Sequence, residues 1–432
     1  MRVWSALAAI LLAGCTISPN TGIAGRSLSI AVDLPSSGSE SRAAVPALNG
    51  IRFFVQTHPN LDGFAIELVT ADDAASGGGP ASPDRGAGDV RRFIADAGVV
   101  AMIGPLDSAV ARKEIPIANS AGLAMVTPAT SNPCLTRDVY MPPLLNPART
   151  SITCQAAGLP PASKLRLGHP NNFFRLTTTD ELQGAAAADF AVDHLQVLRT
   201  AVISDHEPYG QGLAGAFQAR LVRRGGTVLG HVDIEAGHTD AAPFLQRMKD
   251  AGAQAIYFGG PSSIGCAIRA QMASVFPPGE ATPFLGGDGI AQDPVCVRAA
   301  GGNSPGVYAT VPAVDAASRP GAGAIIREFK SAFGRPSDFG PYTMLAYDAT
   351  ASLYAAMNRA ILADGGRLPT REAVTAELAR TIGLDGVTGE IGFDPAGDTT
   401  NRVVSILEAP GPDPKVPWRF VQAVDYSLHL PY

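Results

Sequence analysis

The chain has 432 residues, of which 46% are hydrophobic, 17% charged and 6% aromatic. That is too apolar for disorder and too long for one ordinary core, so two lobes are expected. Lys+Arg total 33 against Asp+Glu 39, a formal net charge of -6, and without a basic block such a chain is a poor nucleic-acid binder. Past the N-terminus no run reaches the ~18 apolar residues that a bilayer span needs.

The first residues, Met1-Arg2-Val3-Trp4, form a short basic segment, and Ser5 to Leu12 an apolar one too brief to span a membrane. Leu12-Ala13-Gly14-Cys15 follows, then the polar run from Thr16 to Asn20. Small residues directly before a cysteine at this place resemble a bacterial lipobox. On that resemblance residues 1–14 are a signal peptide, Cys15 is the lipidated first residue of the mature protein, and 15–27 is a tether. An acylated N-terminus holds the folded part beside the membrane, outside the cytoplasm. Four cysteines remain: Cys134, Cys154, Cys266 and Cys296. An even number in an exported chain suggests two disulfides. Of the three pairings the sequence-near one, Cys134 with Cys154 and Cys266 with Cys296, is expected, because each closes a modest loop.

The chain then alternates strands and helices. Strands are predicted at Ser29–Val32, Ala65–Ala71, Gly98–Ile103 and Ala124–Val126, with helices at Val90–Ala97 and around Ala111–Ala121. Phe174–Thr177 leads into a helix from Asp180, a plausible N-cap, to His194. Thr200–Ser204 is a strand, and Tyr209-Gly210-Gln211-Gly212 opens a helix with Leu213, Phe217 and Leu221 on one face. Strands at Val228–Ile234, Ala255–Phe258 and Phe284–Leu285 alternate with helices at Ala241–Ala251 and Ile264–Met272. Val307–Val311 reads as a strand crossing between lobes. Helices at Ile325–Phe333, Thr343–Leu362 and Arg371–Ile382 precede a strand-like tail, Val403–Leu407 and Trp418–Val424. Repeated strand, loop and helix units predict an α/β fold: two Rossmann-like lobes, each a parallel sheet flanked by helices, joined by a multi-strand hinge. The expected division is 28–178 plus about 312–398 for the first lobe and 179–311 plus about 399–432 for the second.

An ordered series of motifs now carries a resemblance: Ile103-Gly104-Pro105-Leu106-Asp107-Ser108, Gly122 to Pro133, Phe174-Arg175, Asp180 to Gly184, Ser204-Asp205, and Tyr209 to Gly212. Gly286 to Gly289, Ala346-Tyr347-Asp348-Ala349 and Gly389 to Asp394 continue it to the C-terminal part. From about residue 28 onward the chain resembles type I solute-binding proteins of branched-chain amino-acid ABC importers. The resemblance implies the Venus-flytrap form of this fold. It also implies Ser108 and Ser131 for the α-carboxylate of a ligand, Ala129 and Asp288 for its α-ammonium, and Tyr209 closing from the other lobe. The chemistry is reasonable in its own right, since ligands of open α/β sheets sit at the carboxyl ends of strands, where loops present free N–H groups. The plain alternatives are that Ser108 and Ser131 cap helices and that Asp288 holds a turn. Asp180 reads first as an N-cap and only second as a ligand contact.

Two positions depart from the family pattern: Ala43 and Pro261 stand where it usually carries aromatic rings, which leaves a wider pocket. Leucine, isoleucine or valine is therefore one candidate ligand beside a larger amino acid, a short peptide or an amide-type compound.

An enzyme is not expected. Gly302-Asn303-Ser304-Pro305-Gly306 fits a hydrolase elbow in letters, but a loop precedes it and a strand follows, the reverse of what the elbow needs. The seven histidines (His58, His169, His194, His206, His231, His238, His429) are scattered without metal-ligand spacing. Asp72-Asp73 and Asp180-Glu181 are adjacent pairs whose side chains diverge. No phosphate-binding loop is present, so the chain is not an importer's ATPase, and no cofactor is expected. The expected function is a monomeric, lipid-anchored carrier that captures a small molecule by hinge closure and delivers it to an ABC permease. A sensory binding module for a membrane receptor and an exported hydrolase are the alternatives.

Overall fold

The structure, a computed structural model, describes residues 26–427 apart from 144, 236, 239, 277–281, 294–295, 297, 299–305 and 411–417. Cys15 with its signal and the tether as far as residue 25, Ser304 and most of its glycine-rich turn, and His429 lie outside the described residues; Arg26 and Ser27, expected in the tether, instead begin the first strand.

In chain order the first half gives β1 (Arg26–Asp33), α1 (Ser41–Thr57), β2 (Asn60–Leu61), β3 (Phe64–Ala71), α2 (Pro83–Ala95), β4 (Val99–Ile103) and α3 (Ser108–Ser120). Then come β5 (Ala124–Thr127), β6 (Val139–Met141), β7 (Ile152–Thr153) and β8 (Phe173–Arg175). The second half runs α4 (Asp180–Asp193), β9 (Arg199–Ser204), α5 (Pro208–Arg223), β10 (Thr227–Asp233), α6 (Ala242–Asp250), β11 (Ala255–Gly259), α7 (Ser262–Val275), β12 (Phe284–Gly286) and β13 (Val307–Val311). Last are α8 (Gly323–Ala332), α9 (Thr343–Ala363), α10 (Arg371–Ala379), β14 (Leu384–Gly386), β15 (Gly389–Ile391), β16 (Val403–Glu408) and β17 (Arg419–Asp425).

Two sheets organise these elements, as the strand and helix pattern predicts. The first has the order β2-β3-β1-β4-β5-β8, parallel except for the short β2–β3 pair. In β1, Ile30 and Val32 face a core shared with Ile51 and Leu353, while Ala31 faces Phe93, Ile115 and Phe173 on the other side. That period-two split is what a strand buried on both faces requires. α1 lies against α9, and Gly50 permits the approach: a Cβ there would come within 2.1 Å of the Thr343 carbonyl oxygen. The second sheet has the order β10-β9-β11-β12-β13-β16-β17. Leu213, Phe217 and Leu221 of α5 are fully buried against it, so the apolar stripe does form a core face.

The structure corrects the sequence expectations at three places. β16 and β17 join the second sheet antiparallel, so that sheet is mixed. β13 is an internal strand of the same sheet, paired with β12 and β16, and the crossing comes after it. α2 begins at Pro83, seven residues before the predicted start, because Pro83 at its first position lacks the N–H that a helix start leaves unused. The predicted disulfides are present, with Cα separations of 5.7 Å for Cys134–Cys154 and 4.4 Å for Cys266–Cys296.

The chain passes between the sheets after β8, after β13 and before β16. These passages bond to one another: the Thr178 N–H donates to the Pro312 carbonyl at 2.8 Å, and the Ser405 hydroxyl donates to the Ala313 carbonyl at 2.8 Å.

Candidate functional site

A cleft of about 410 Å³ opens where the carboxyl ends of β4, β5, β9, β11 and β12 meet. It lies within the size range of small-molecule sites. Ser108, Ala129, Ser131, Tyr209 and Asp288 all line it, as do Ala43 and Pro261. Asp180 does not. It is 1% exposed in the first turn of α4, and Thr179, not Asp180, occupies the N-cap position. Burial drives the Asp180 carboxyl well above its ordinary range, opposed by the adjacent Ser131 hydroxyl. This corrects the helix-cap reading of Asp180, whose carboxyl also lies off the cleft lining.

Ser108 is the first residue of α3, and the cap is Asp107, whose carboxylate accepts from the N–H groups of Ala109 at 2.7 Å and Val110 at 3.1 Å. The Ser108 hydroxyl is thus released from capping and accepts only a long bond, 3.4 Å, from the Asn132 N–H. That bond brings the two serine loops together. In the second loop the Thr127 hydroxyl accepts from the N–H groups of Ala129 and Thr130, both at 3.1 Å, which folds the segment into a tight turn. The Thr130 hydroxyl, 1% exposed, has no partner in the protein, and the equally buried Ser131 hydroxyl meets only the Asp180 carboxyl. An orphaned buried hydroxyl is costly, and its presence on a cleft points to a partner supplied from outside.

Arg175 holds this loop. It is fully buried, donates to the carbonyl oxygens of Thr130 at 3.3 Å and Asn132 at 2.9 Å, and pairs with Asp398 at 2.7 Å. Asp398 also receives Arg137 at 2.7 Å, and the two guanidinium groups hold its carboxyl down at about 2 despite burial. The sequence quoted Phe174-Arg175 as a motif without a role; the structure makes Arg175 the anchor of the serine loop.

Across the cleft Asp288 is 2% exposed. Its Oδ1 accepts from the Tyr209 hydroxyl at 2.6 Å and from Gln183 Nε2 at 2.9 Å, and its Oδ2 from the Tyr342 hydroxyl at 2.6 Å. Burial raises its pKa, and these three donors offset part of that rise. Oδ2 retains one lone pair for a further donor. Tyr209 also accepts from the Gly289 N–H at 3.0 Å, so its hydroxyl fixes the Asp288 turn. Gln183 and Tyr342 were not found from the sequence. Gln183 lies inside the quoted Asp180–Gly184 motif, whereas Tyr342 had no local signal. Further carboxyls on the cleft, Glu40, Asp107, Asp205, Glu207 and Glu235, had no role from the sequence either.

A donor pair on one wall and a carboxylate on the other suit a small zwitterion. Among the described residues no group of His, Cys, Asp and Glu side chains is arranged to hold a metal ion, and no helix is long and apolar enough to cross a membrane.

The family model described as periplasmic binding protein matches residues 27–412. A Leu/Ile/Val-binding protein homologue from Brucella abortus is 26% identical over 390 residues, covering 89% of this chain and 91% of the relative. A leucine-binding protein from Thermotoga maritima superposes with a TM-score of 0.74 at 25% identity, covering 92% of this chain and 98% of that one. An ABC-transporter solute-binding protein from Rhodopseudomonas palustris, solved with 3,4-dihydroxybenzoic acid, shares the fold at TM-score 0.71 and 20% identity, covering 92% and 97%. These are binding proteins rather than enzymes. The chain belongs to the periplasmic binding protein family, beside the binding proteins of branched-chain amino-acid transporters.

Proposed function

We propose that this protein is the lipid-anchored, extracytoplasmic substrate-binding component of an ABC importer and captures an α-amino acid between its two lobes. The observation that carries the proposal is the opposition of the unpartnered Thr130 hydroxyl, with Ser108 and Ser131 beside it on the lining, to Asp288 across one cleft. Ser108, Ser131 and the loop N–H groups take the carboxylate, charge-assisted bonds of the stronger kind, while Ala129 and the free lone pair of Asp288 take the ammonium. Residues 28–178 plus about 312–398 move as one lobe and 179–311 plus about 399–432 as the other, bending at the bonded passages. The ligand shifts the balance toward closure only by contacts that the open form lacks. The closed surface is then read by a permease, and acylated Cys15 keeps the carrier near it.

The test is calorimetric titration of the purified mature domain with α-amino acids, short peptides and amides, alongside an ester and amide turnover panel. Saturable binding of an α-amino acid without turnover is expected. Turnover, or failure of every α-amino acid to bind, refutes the proposal.

A further inference from the structure

The amino-acid site occupies one part of the cleft; elsewhere four carboxyls stand among neutral residues such as Pro80, Leu106 and Ile264, with the exposed Glu235 as a fifth. Glu40 and Asp107 reach the cleft from the first sheet's side, Asp205 and Glu207 from the second's. No Lys or Arg lines the cleft among the described residues, and its one imidazole, His206, sits 3.2 Å from Asp233. Two of the four carboxyls do local work: Asp107 caps α3, and Asp205 accepts from the Glu207 N–H at 2.9 Å. Glu40 has a weaker commitment, to the Ala81 N–H at 3.3 Å. Arg112 is the cation near the group, attracted by Asp107 and Glu207, and it remains outside the cleft lining.

We infer that the ligand is an α-amino acid whose side chain ends in a second positive charge, held between the carboxyls of Glu40 and Asp107 on one lobe and Asp205 and Glu207 on the other.

Three observations converge on this. The Thr130 hydroxyl, buried and unpartnered on the same cleft, requires an outside partner at the carboxylate end, so the acidic wall belongs to a ligand site and is not merely a solvated face. The two positions that lack the aromatic rings of the family open toward the acidic wall. Ala43 follows Glu40 by three residues, close to one turn of the chain entering α1, and Pro261 follows Gly260, where a Cβ would stand 2.8 Å from the Asp205 Cβ. A long side chain leaving the Asp288 end finds space there instead of a ring. Finally, the carboxyls repel across the lobes: Asp107 raises the pKa of Glu40, Asp205 and Glu207, and burial raises all four. Closing on an apolar side chain drives these carboxyls to take up protons and leaves them without a counter-charge, whereas a cation between them favours their ionised form and the closed state together.

This inference rests on the amino-acid reading above and is tested apart from it by comparing lysine, ornithine and arginine with norleucine, which matches lysine in length without the ammonium. In titrations of the mature protein we expect lysine, ornithine or arginine to bind about 100-fold more tightly than norleucine, the scale on which an unpaired buried charge is penalised. Glu40→Gln, and separately Glu207→Gln at the more exposed position, should each lower that preference about 10-fold without weakening norleucine. If norleucine or leucine equals the cationic amino acids, or both variants keep the full preference, the inference fails while the amino-acid reading stands. If benzoate or 3,4-dihydroxybenzoate binds and no α-amino acid does, or if nothing in the panel binds, both fail.

Discussion

Replacing Arg175 by methionine tests how the serine loop is held. The guanidinium is fully buried and bonds to Asp398, to the carbonyls of Thr130 and Asn132, and to Thr136. Methionine fills much of the volume but leaves those acceptors unserved. Against the cost of burial, Arg175, Arg137 and Thr136 hold the Asp398 carboxyl down at about 2 from an ordinary 3.8, which corresponds to roughly 2.5 kcal/mol net in favour of its ionised form in the fold. Its pKa is depressed on folding, so this stabilisation is present above about pH 4 and is lost as pH falls through 2. The two loop carbonyls and Thr136 add the cost of buried acceptors without donors. The total loss expected for Arg175→Met at pH 7 is about 3–5 kcal/mol, the usual penalty for breaking a buried pair on one side. Urea unfolding at pH 7 and pH 3 measures it, and the gap between variant and wild type should narrow at the lower pH. Binding should weaken as well, since the loop carrying Ala129 and Ser131 loses its anchor. A loss below about 1 kcal/mol, within the range of an exposed pair, refutes the argument that Arg175 organises the site.

Three further outcomes are expected. Asp288→Asn removes the counter-charge, keeps an acceptor oxygen for Tyr209 and Gln183, and turns its amide NH2 to the Tyr342 hydroxyl, which can accept, so calorimetry should show at least about tenfold weaker binding of a zwitterion with the fold retained; unchanged affinity excludes the ammonium role. Asp33, Asp73 and Glu114 are buried together; burial raises Asp33 to about 7 despite a hydrogen bond shared with Glu114, and burial with neighbouring carboxylates raises Asp73 to about 9 and Glu114 well above the ordinary range. Unfolded carboxyls ionise near pH 4, so the folded state binds more protons between there and pH 9, and stability falls as pH rises through that window. Glu114→Gln should therefore gain about 1 kcal/mol or more over wild type at pH 8, with a smaller gain at pH 5, and equal urea midpoints at pH 8 would contradict this. Cys15→Ala should move the protein from the membrane fraction to the soluble one; a variant that still sediments with lipid removes the acyl anchor from the proposal.

The repeat of apolar strand, loop and helix was enough to predict two α/β lobes, since buried parallel strands read as short apolar runs without any knowledge of their neighbours. Cysteine spacing likewise gave the pairing found at Cys134–Cys154 and Cys266–Cys296. Ser108, Ala129, Ser131 and Asp288 were nominated by motifs beside strand ends, and the structure collects them on one cleft because strand ends of parallel sheets share an edge. What sequence order hides is distance through space. Arg175 reaches Asp398 across 223 positions of chain, Tyr342 meets Asp288 across 54, and Gln183 meets it across 105. Local spacing carries no record of such pairs. Capping was misread for a related reason: Asp180 and Thr179 both have cap chemistry, and only the backbone angles decide which one sits outside the helix. The tail's strand character was legible in its apolar residues, but its antiparallel direction was set by the side from which the last passage enters the second sheet. The acidic wall is the fullest case, because Glu40, Asp107, Asp205 and Glu207 stand in three separate stretches of sequence and acquire a joint charge only where folding excludes the water that would otherwise screen each of them.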